Sequence, residues 1–426
     1  MIDSPREPVS TDGPGASGGP HQPGAVDGPG ASGPRQPGSA NGLGSTAQRA
    51  ASEAAAGPST TSQANGVSVT PMGGGQRVAG QAARHSPGLA AGAQPTYSHL
   101  HAVLRSGRFA VTAELGPPRS ASLAPIRRKA KLLRDWVDAA NVTDGQSAVV
   151  RLASWAGCLV AMQEGVEPVM QLQCRDRNRI ALQSDLLGAA AVGIPNVLLL
   201  TGDHPRFGDH PDAKPVFDLD SVQLVWTART MRDQHRLLSG REVRTPPSWL
   251  IGAVENPFAP PERFRAERLG KKIAAGAQFV QTQFVFDVPV FARWMQQVRD
   301  LGLDERCWIL AGTGPIRSLR ALEHMCREVP GMHVPDDVVR RLRGVPEDRV
   351  AAEGLTICAE VVEQVRAMPG VAGVHLMAFA WEEAVPEILD RAGIGARRGA
   401  GFEVRGASRT TSDLAPRSPN PRAERG

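Results

Sequence analysis

The sequence predicts an α/β protein folded as a single-domain (β/α)8 (TIM) barrel. Three observations lead there. Short β-rich runs alternate with longer amphipathic ones, eight such runs fall within about 300 residues, and the first run is followed by no G-x-G-x-x-G phosphate loop. Alternation implies parallel pairing, and the missing loop counts against an open doubly wound sheet, the competing arrangement.

The runs come in order. FAVTAEL begins at Phe109, AANVTD at Ala139, PVMQLQC at Pro168 and NVLLLTGD at Asn196. WLIGAVEN follows at Trp249, FVQTQFVF at Phe279, CWILAGTG at Cys307 and GVHLMAF at Gly373. Each is short, apolar and rich in β-branched or aromatic residues, as a strand covered on both faces must be. Between them SLAPIRRKAKLLRDW, ALQSDLLGAAAVG, SVQLVWTARTMRDQ, PERFRAERLGKKIAAG and VPVFARWMQQVRDLG repeat apolar residues at three and four, the spacing of a helix with one buried stripe.

The ends differ from this core. Residues 1–97 are mostly Gly, Pro, Ala and Ser, and DGPGASGGPHQPG at Asp12 returns almost unchanged as DGPGASGPRQPG at Asp27. Too little apolar surface is present there to offset the entropy of ordering, so a disordered extension is expected, and a similar tail over 397–426. The barrel is expected over 98–396.

Composition narrows the classes of function. The 48 basic and 43 acidic residues are interspersed, and no basic face interleaved with aromatics stands out, so nucleic acid is not an expected partner. No apolar run of about 18 residues could span a membrane, and no signal sequence opens the chain, which makes a cytoplasmic protein the expectation. Five cysteines lie scattered without a C-x-x-C pair, as free buried thiols would, and imply neither a disulfide framework nor a metal site.

In such a barrel the catalytic face is the rim where strands end and loops lead into helices. Read in order, the strand ends offer Glu114, then Thr143 with Asp144, Gln173 with Arg175 and Asp176, Asp203, Glu255 with Asn256, and Gln281 with Gln283. Carboxylates and amides thus converge on one rim. Asp and Asn in these places also serve as helix caps. Glu114 stands apart from that role, because Pro117 and Pro118 separate it from the next helix.

Several stretches carry a family resemblance. TAELGPPR, NVTDGQ, LLLTGDHP, KKIAAGAQFVQTQFVFD and LAGTGPIRSLRALEHMCREVPGMHVPDDVVRRL together resemble the methylenetetrahydrofolate reductase family, over about Phe109 to Phe379. CRDRNRIALQSDLLGAAAVGIPNVLLLTGD, with PVFDLDSVQL after it, resembles the bacterial subgroup fused to homocysteine methyltransferase domains. The resemblance implies reduction of 5,10-methylenetetrahydrofolate to 5-methyltetrahydrofolate, with NADH or NADPH as reductant and FAD as carrier, in one-carbon metabolism and methionine supply.

It also implies roles. Glu114 matches the acid that protonates N10 of the folate, and burial would keep that carboxyl protonated. Asp203 matches the aspartate near both flavin and pterin, which answers why an apolar strand ends on a carboxylate. Gln283 matches the folate-binding glutamine, with Gln281 in the same strand phase as a rival. Thr143 and Lys272 match flavin contacts, Gln171 occupies a flavin-contact position, and Arg175 and Asn178 sit where a ribityl or phosphate group would be held. This chain has Gln171 where the family has histidine, Thr201 where it has arginine and Val254 where it has tyrosine. Those departures leave open a flavin-independent reductase, and beside it a folate-binding methyltransferase or a non-catalytic barrel paralogue. The outer helices can also form an interface, so a homo-oligomer stays open.

Overall fold

The computed structural model describes residues 95–329 and 331–397 of the 426-residue chain; the expected disorder of the extension and of the tail lies outside them. Eight parallel strands close into a barrel in sequence order. They are β1 (Ala110–Leu115), β2 (Ala139–Val142), β3 (Pro168–Gln173), β4 (Asn196–Leu200), β5 (Leu250–Glu255), β6 (Phe279–Phe284), β7 (Trp308–Thr313) and β8 (Val371–Leu376). Closure is carried by β1, which pairs with β2 on one side and with β8 on the other. Every strand lies within or beside one of the eight runs read from the sequence; β8 begins two residues before its run.

The helices expected from periodicity form α2 (Ala124–Leu133), α4 (Arg179–Ala191), α5 (Ser221–Asp233), α6 (Arg265–Ala275) and α7 (Val288–Asp300). Their apolar stripes pack on the strands; α6, for example, buries Ala266, Leu269, Ile273 and Ala275. Others had no such stripe to announce them. α3 (Ser154–Gln163), with the sequence SWAGCLVAMQ, is apolar on nearly every side and is largely buried. Between β7 and β8 the chain inserts α8 (Leu319–Glu328), α9 (Asp336–Arg343) and α10 (Val350–Ala367), which gather a separate apolar cluster around Ile316, Leu322, Leu342 and Ile357. The described chain ends after α11 (Ala384–Arg391).

The barrel interior is layered. Its lower layer is apolar: Ala110, Ala139, Val169, Leu198, Leu250, Phe279 and Trp308 meet Leu100, Val103 and Leu104 of α1 (His99–Arg105), which plugs the N-terminal end. Buried Glu167 anchors the plug by accepting from the backbone N–H groups of His99 (2.7 Å) and Leu100 (2.9 Å). Its carboxyl oxygens lie where the free N–H groups of a helix start need acceptors. Above this layer the filling turns polar. Gln281 donates to Thr112 Oγ1 and to Asn141 Oδ1, both at 3.1 Å, and accepts from Asn141 Nδ2 at 2.6 Å. Thr112 also meets His375 Nδ1 at 2.9 Å. A floor of satisfied polar groups therefore supports the C-terminal rim.

Four cysteines are buried and Cys326 is exposed, all of them free. No helix among the described residues is long and apolar enough to cross a membrane.

Candidate active site

A cavity of about 940 Å³ opens above the polar floor, at the end of the barrel where the strands finish. That volume suits an organic ligand of cofactor size. Strand-end residues Glu114, Asp144, Gln171, Gln173 and Gln283 line it, with Asp203 from the loop after β4, Lys272 from α6 and Met325 from α8.

Glu114 is the distinctive group. It ends the inward phase of β1, and the protein around it pushes the carboxyl pKa up to about 7, chiefly through burial. The Glu382 carboxylate adds to the rise, while the hydrogen bond from Gln146 Nε2 to Glu114 Oε2 (3.3 Å) opposes it. A carboxyl poised there can give up or take a proton near neutrality. His375, on the next strand, is driven the other way by burial, to about 3, so it stays neutral.

Asp203 reaches the cavity because of the glycine before it. Gly202 has φ 89°, and a Cβ there would lie 2.1 Å from Gln173 Oε1, so only glycine lets the loop turn this close to β3. The Asp203 side chain is exposed at the cavity wall. Gln283 lines the wall half-buried, its Oε1 accepting from the Phe284 N–H at 3.0 Å. The alternate glutamine, Gln281, sits in the floor with both ends of its amide bonded inside the barrel. No group of three or more His, Cys, Asp or Glu able to hold a metal ion occurs among the described residues.

The sequence profile of the methylenetetrahydrofolate reductase family matches residues 99–393. The chain belongs to the methylenetetrahydrofolate reductase family. A Caenorhabditis elegans relative named "Probable methylenetetrahydrofolate reductase (NADPH)" is 23% identical over 236 residues, covering 54% of this chain and 33% of its own length. The "5,10-methylenetetrahydrofolate reductase" of Pectobacterium carotovorum is 25% identical over 281 residues, 63% of this chain and 85% of that one. The chain thus spans about a third of the nematode relative's length and most of the bacterial one's. A solved structure described as an uncharacterized protein from Clostridium thermocellum that binds two copies of 5-methyl-5,6,7,8-tetrahydrofolic acid aligns with a TM-score of 0.48 at 12% identity, covering 67% of this chain and 96% of that one.

Against the roles this family implies, the structure divides the expected cofactor contacts. Gln171, Asp203 and Lys272 line the cavity. Lys272 is already engaged there, donating to the Val254 carbonyl (2.6 Å) and to Glu255 (2.8 Å). The other three expected contacts are not on its wall. Arg175 is buried and grips Asp176 through two 2.8 Å bonds, while also donating to the carbonyls of Asp203 (3.2 Å) and Gly145 (3.3 Å). Asn178 caps α4, its side chain accepting from Ile180 and Ala181. Thr143 is fully buried and its hydroxyl has no hydrogen-bond partner among the described residues. Arg175 thus makes four bonds within the fold, and Asn178 holds a helix start.

Sequence reasoning passed over Gln146, which occurs in NVTDGQ but was given no role. Nothing local signals that a loop glutamine after β2 reaches across to β1. It also passed over Arg177, which holds Asp144 with bonds of 2.7 and 3.1 Å.

Proposed function

We propose that this chain reduces 5,10-methylenetetrahydrofolate to 5-methyltetrahydrofolate with NADH or NADPH as hydride source. The observation that carries the proposal is the Glu114 carboxyl, held near neutrality at the wall of a cavity large enough for a reduced folate, in a chain of this family. Opening the imidazolidine ring needs a proton on N10. Glu114 supplies it, the N10–CH2 bond breaks with its electron pair going to N10, and the N5 lone pair moves in to form the N5=CH2 iminium. Hydride adds to that CH2 carbon, giving the N5-methyl group, and the nicotinamide leaves oxidised. Solvent then returns the proton to Glu114.

The remaining wall residues bind and orient. Gln283 offers an Nε2 donor that no described residue uses, and an amide can donate and accept along a pterin edge. Asp203 presents its carboxylate to the amino-pyrimidine. Gln281, bonded within the floor at the base of the cavity, supports these groups from below.

A flavin fits this set of residues poorly. Two of the expected anchors for its ribityl and phosphate groups, Arg175 and Asn178, are engaged in the fold, and Thr143 lies off the cavity wall. That engagement favours a second reading in which hydride passes directly from the nicotinamide to the folate, and no step above runs through FAD.

The test is formation of 5-methyltetrahydrofolate by the purified protein from 5,10-methylenetetrahydrofolate and each nicotinamide, without added flavin and with the visible spectrum recorded beforehand. Product from colourless protein supports the direct route. Product only from protein carrying a flavin that the nicotinamide bleaches restores FAD, and no product with either reductant overturns the reductase reading in favour of methyl transfer or a non-catalytic role.

A further inference from the structure

Between residues 145 and 152 the chain follows a course that ordinary loops avoid. Gly145, Ser147 and Ala148 all have left-handed dihedrals, with φ 53°, 58° and 56°. Two side-chain-bearing residues in succession hold that conformation only where their surroundings enforce it, and such places cluster at functional sites. Here the enforcement is visible. Arg175 Nη2 donates to the Gly145 carbonyl (3.3 Å), the Asp209 carboxylate accepts from the Val150 N–H (3.2 and 3.3 Å), and the Leu152 N–H donates to the Pro118 carbonyl (2.9 Å). Gly208 packs so closely that a Cβ on it would lie 1.8 Å from the Ala148 carbonyl oxygen.

What this clamped loop presents is Gln146. Its amide is the one hydrogen-bond partner of the Glu114 side chain among the described residues, and it contacts Oε2 only. The other carboxyl oxygen stays available to a ligand in the cavity that Glu114 lines.

We propose that Gln146 is a positioning residue for Glu114, fixing the rotamer of its carboxyl and stabilising its charged form so that the proton is released on demand. The inference rests on reading Glu114 as the acid. Physically, an amide donor lowers the cost of the carboxylate, whereas burial and the charge of Glu382 raise it. The other charged neighbours are already committed. Glu382 is bound by Lys129 at 2.5 Å, Asp144 on the β2 side by Arg177 at 2.7 Å, and His375 on the β8 side is neutral. Gln146 is therefore the contact that opposes burial at this carboxyl by a direct hydrogen bond.

The test reads Glu114 directly. In protein labelled with 13C at the glutamate carboxyls, the Glu114 signal is identified by its loss in Glu114→Gln and titrated in wild type, Gln146→Met and Gln146→Glu. Gln146→Met keeps the length but removes the donor, and its Glu114 midpoint should rise by on the order of one pH unit. Gln146→Glu sets a second carboxyl beside the first and should raise the midpoint further. In both, the alkaline limb of kcat should move up in parallel, while kcat at the optimum falls roughly tenfold as the carboxyl loses its fixed orientation and KM changes less. A midpoint unmoved in both variants overturns the proposal. A midpoint that moves while the pH–rate profile stays fixed upholds the action of Gln146 on Glu114 and instead removes Glu114 as the acid.

Discussion

A carboxyl that keeps its proton to about pH 7 costs the fold stability whenever it ionises. Glu114 has an ordinary value of 4.5 in the unfolded chain and about 7 in the folded one, so between those values the native state binds the extra proton. Stability is accordingly full below about pH 4.5, falls as the pH rises toward 7, and stays low above it. Glu114→Gln removes that dependence. Because the carboxyl faces a cavity rather than dry core, the difference should be about 2 kcal/mol, seen as a gain of the variant over wild type at pH 8 that is absent at pH 4.5. Turnover should move oppositely, dropping about 10²–10⁴-fold for loss of a general acid, and wild-type kcat should decline above pH 7. Paired denaturant and pH–rate series on the two proteins check both. This residue was legible from sequence, since a carboxyl at a strand end with two prolines after it has no cap to serve. Gln146 was not, because its contact with Glu114 joins residues 32 positions apart through a loop whose left-handed turns no pattern of residue types announces.

At the scale of elements, the strands were readable because β-rich runs are compact signals, and the helices because five of them carry one apolar stripe. α3 was unreadable because its residues are apolar on nearly every side, and periodicity distinguishes faces only where the residue types of one face differ from those of the other. In the CRDRN stretch, side chains of a type suited to phosphate also hold the connection between β3 and α4. Two variants separate these roles. Asn178→Ala removes a helix cap and should lower stability by about 1 kcal/mol while leaving KM for the nicotinamide unchanged. Arg175→Lys cannot reproduce a planar fork that ties β3 to the loops carrying Gln146 and Asp203, so it should lower both the melting temperature and kcat. A Arg175→Lys protein of native stability with KM raised for a phosphate-bearing ligand would return that arginine to a binding role.

For the barrel as a whole, the decisive asymmetry is between its two ends. One end is a cavity that sets Glu114, Asp203 and Gln283 among apolar side chains over a hydrogen-bonded floor, and the other is closed by α1, whose Leu100, Val103 and Leu104 complete the lower apolar layer. All eight strands of the barrel, the floor and the cavity wall lie within residues 95–397. Removing residues 1–94 should therefore leave melting temperature and turnover as they are. Extending the deletion through Arg105 takes away three fully buried side chains at about 2 kcal/mol each, and it also strips Glu167 of the two N–H donors it accepts from. A loss on the order of 6 kcal/mol exceeds what a marginally stable domain can spare, so the longer truncation should unfold or aggregate at 37 °C. Thermal melts of the two truncations side by side make the comparison. If the shorter one also lost turnover while keeping its melting temperature, residues 1–94 would have a part in the chemistry that the barrel alone does not supply.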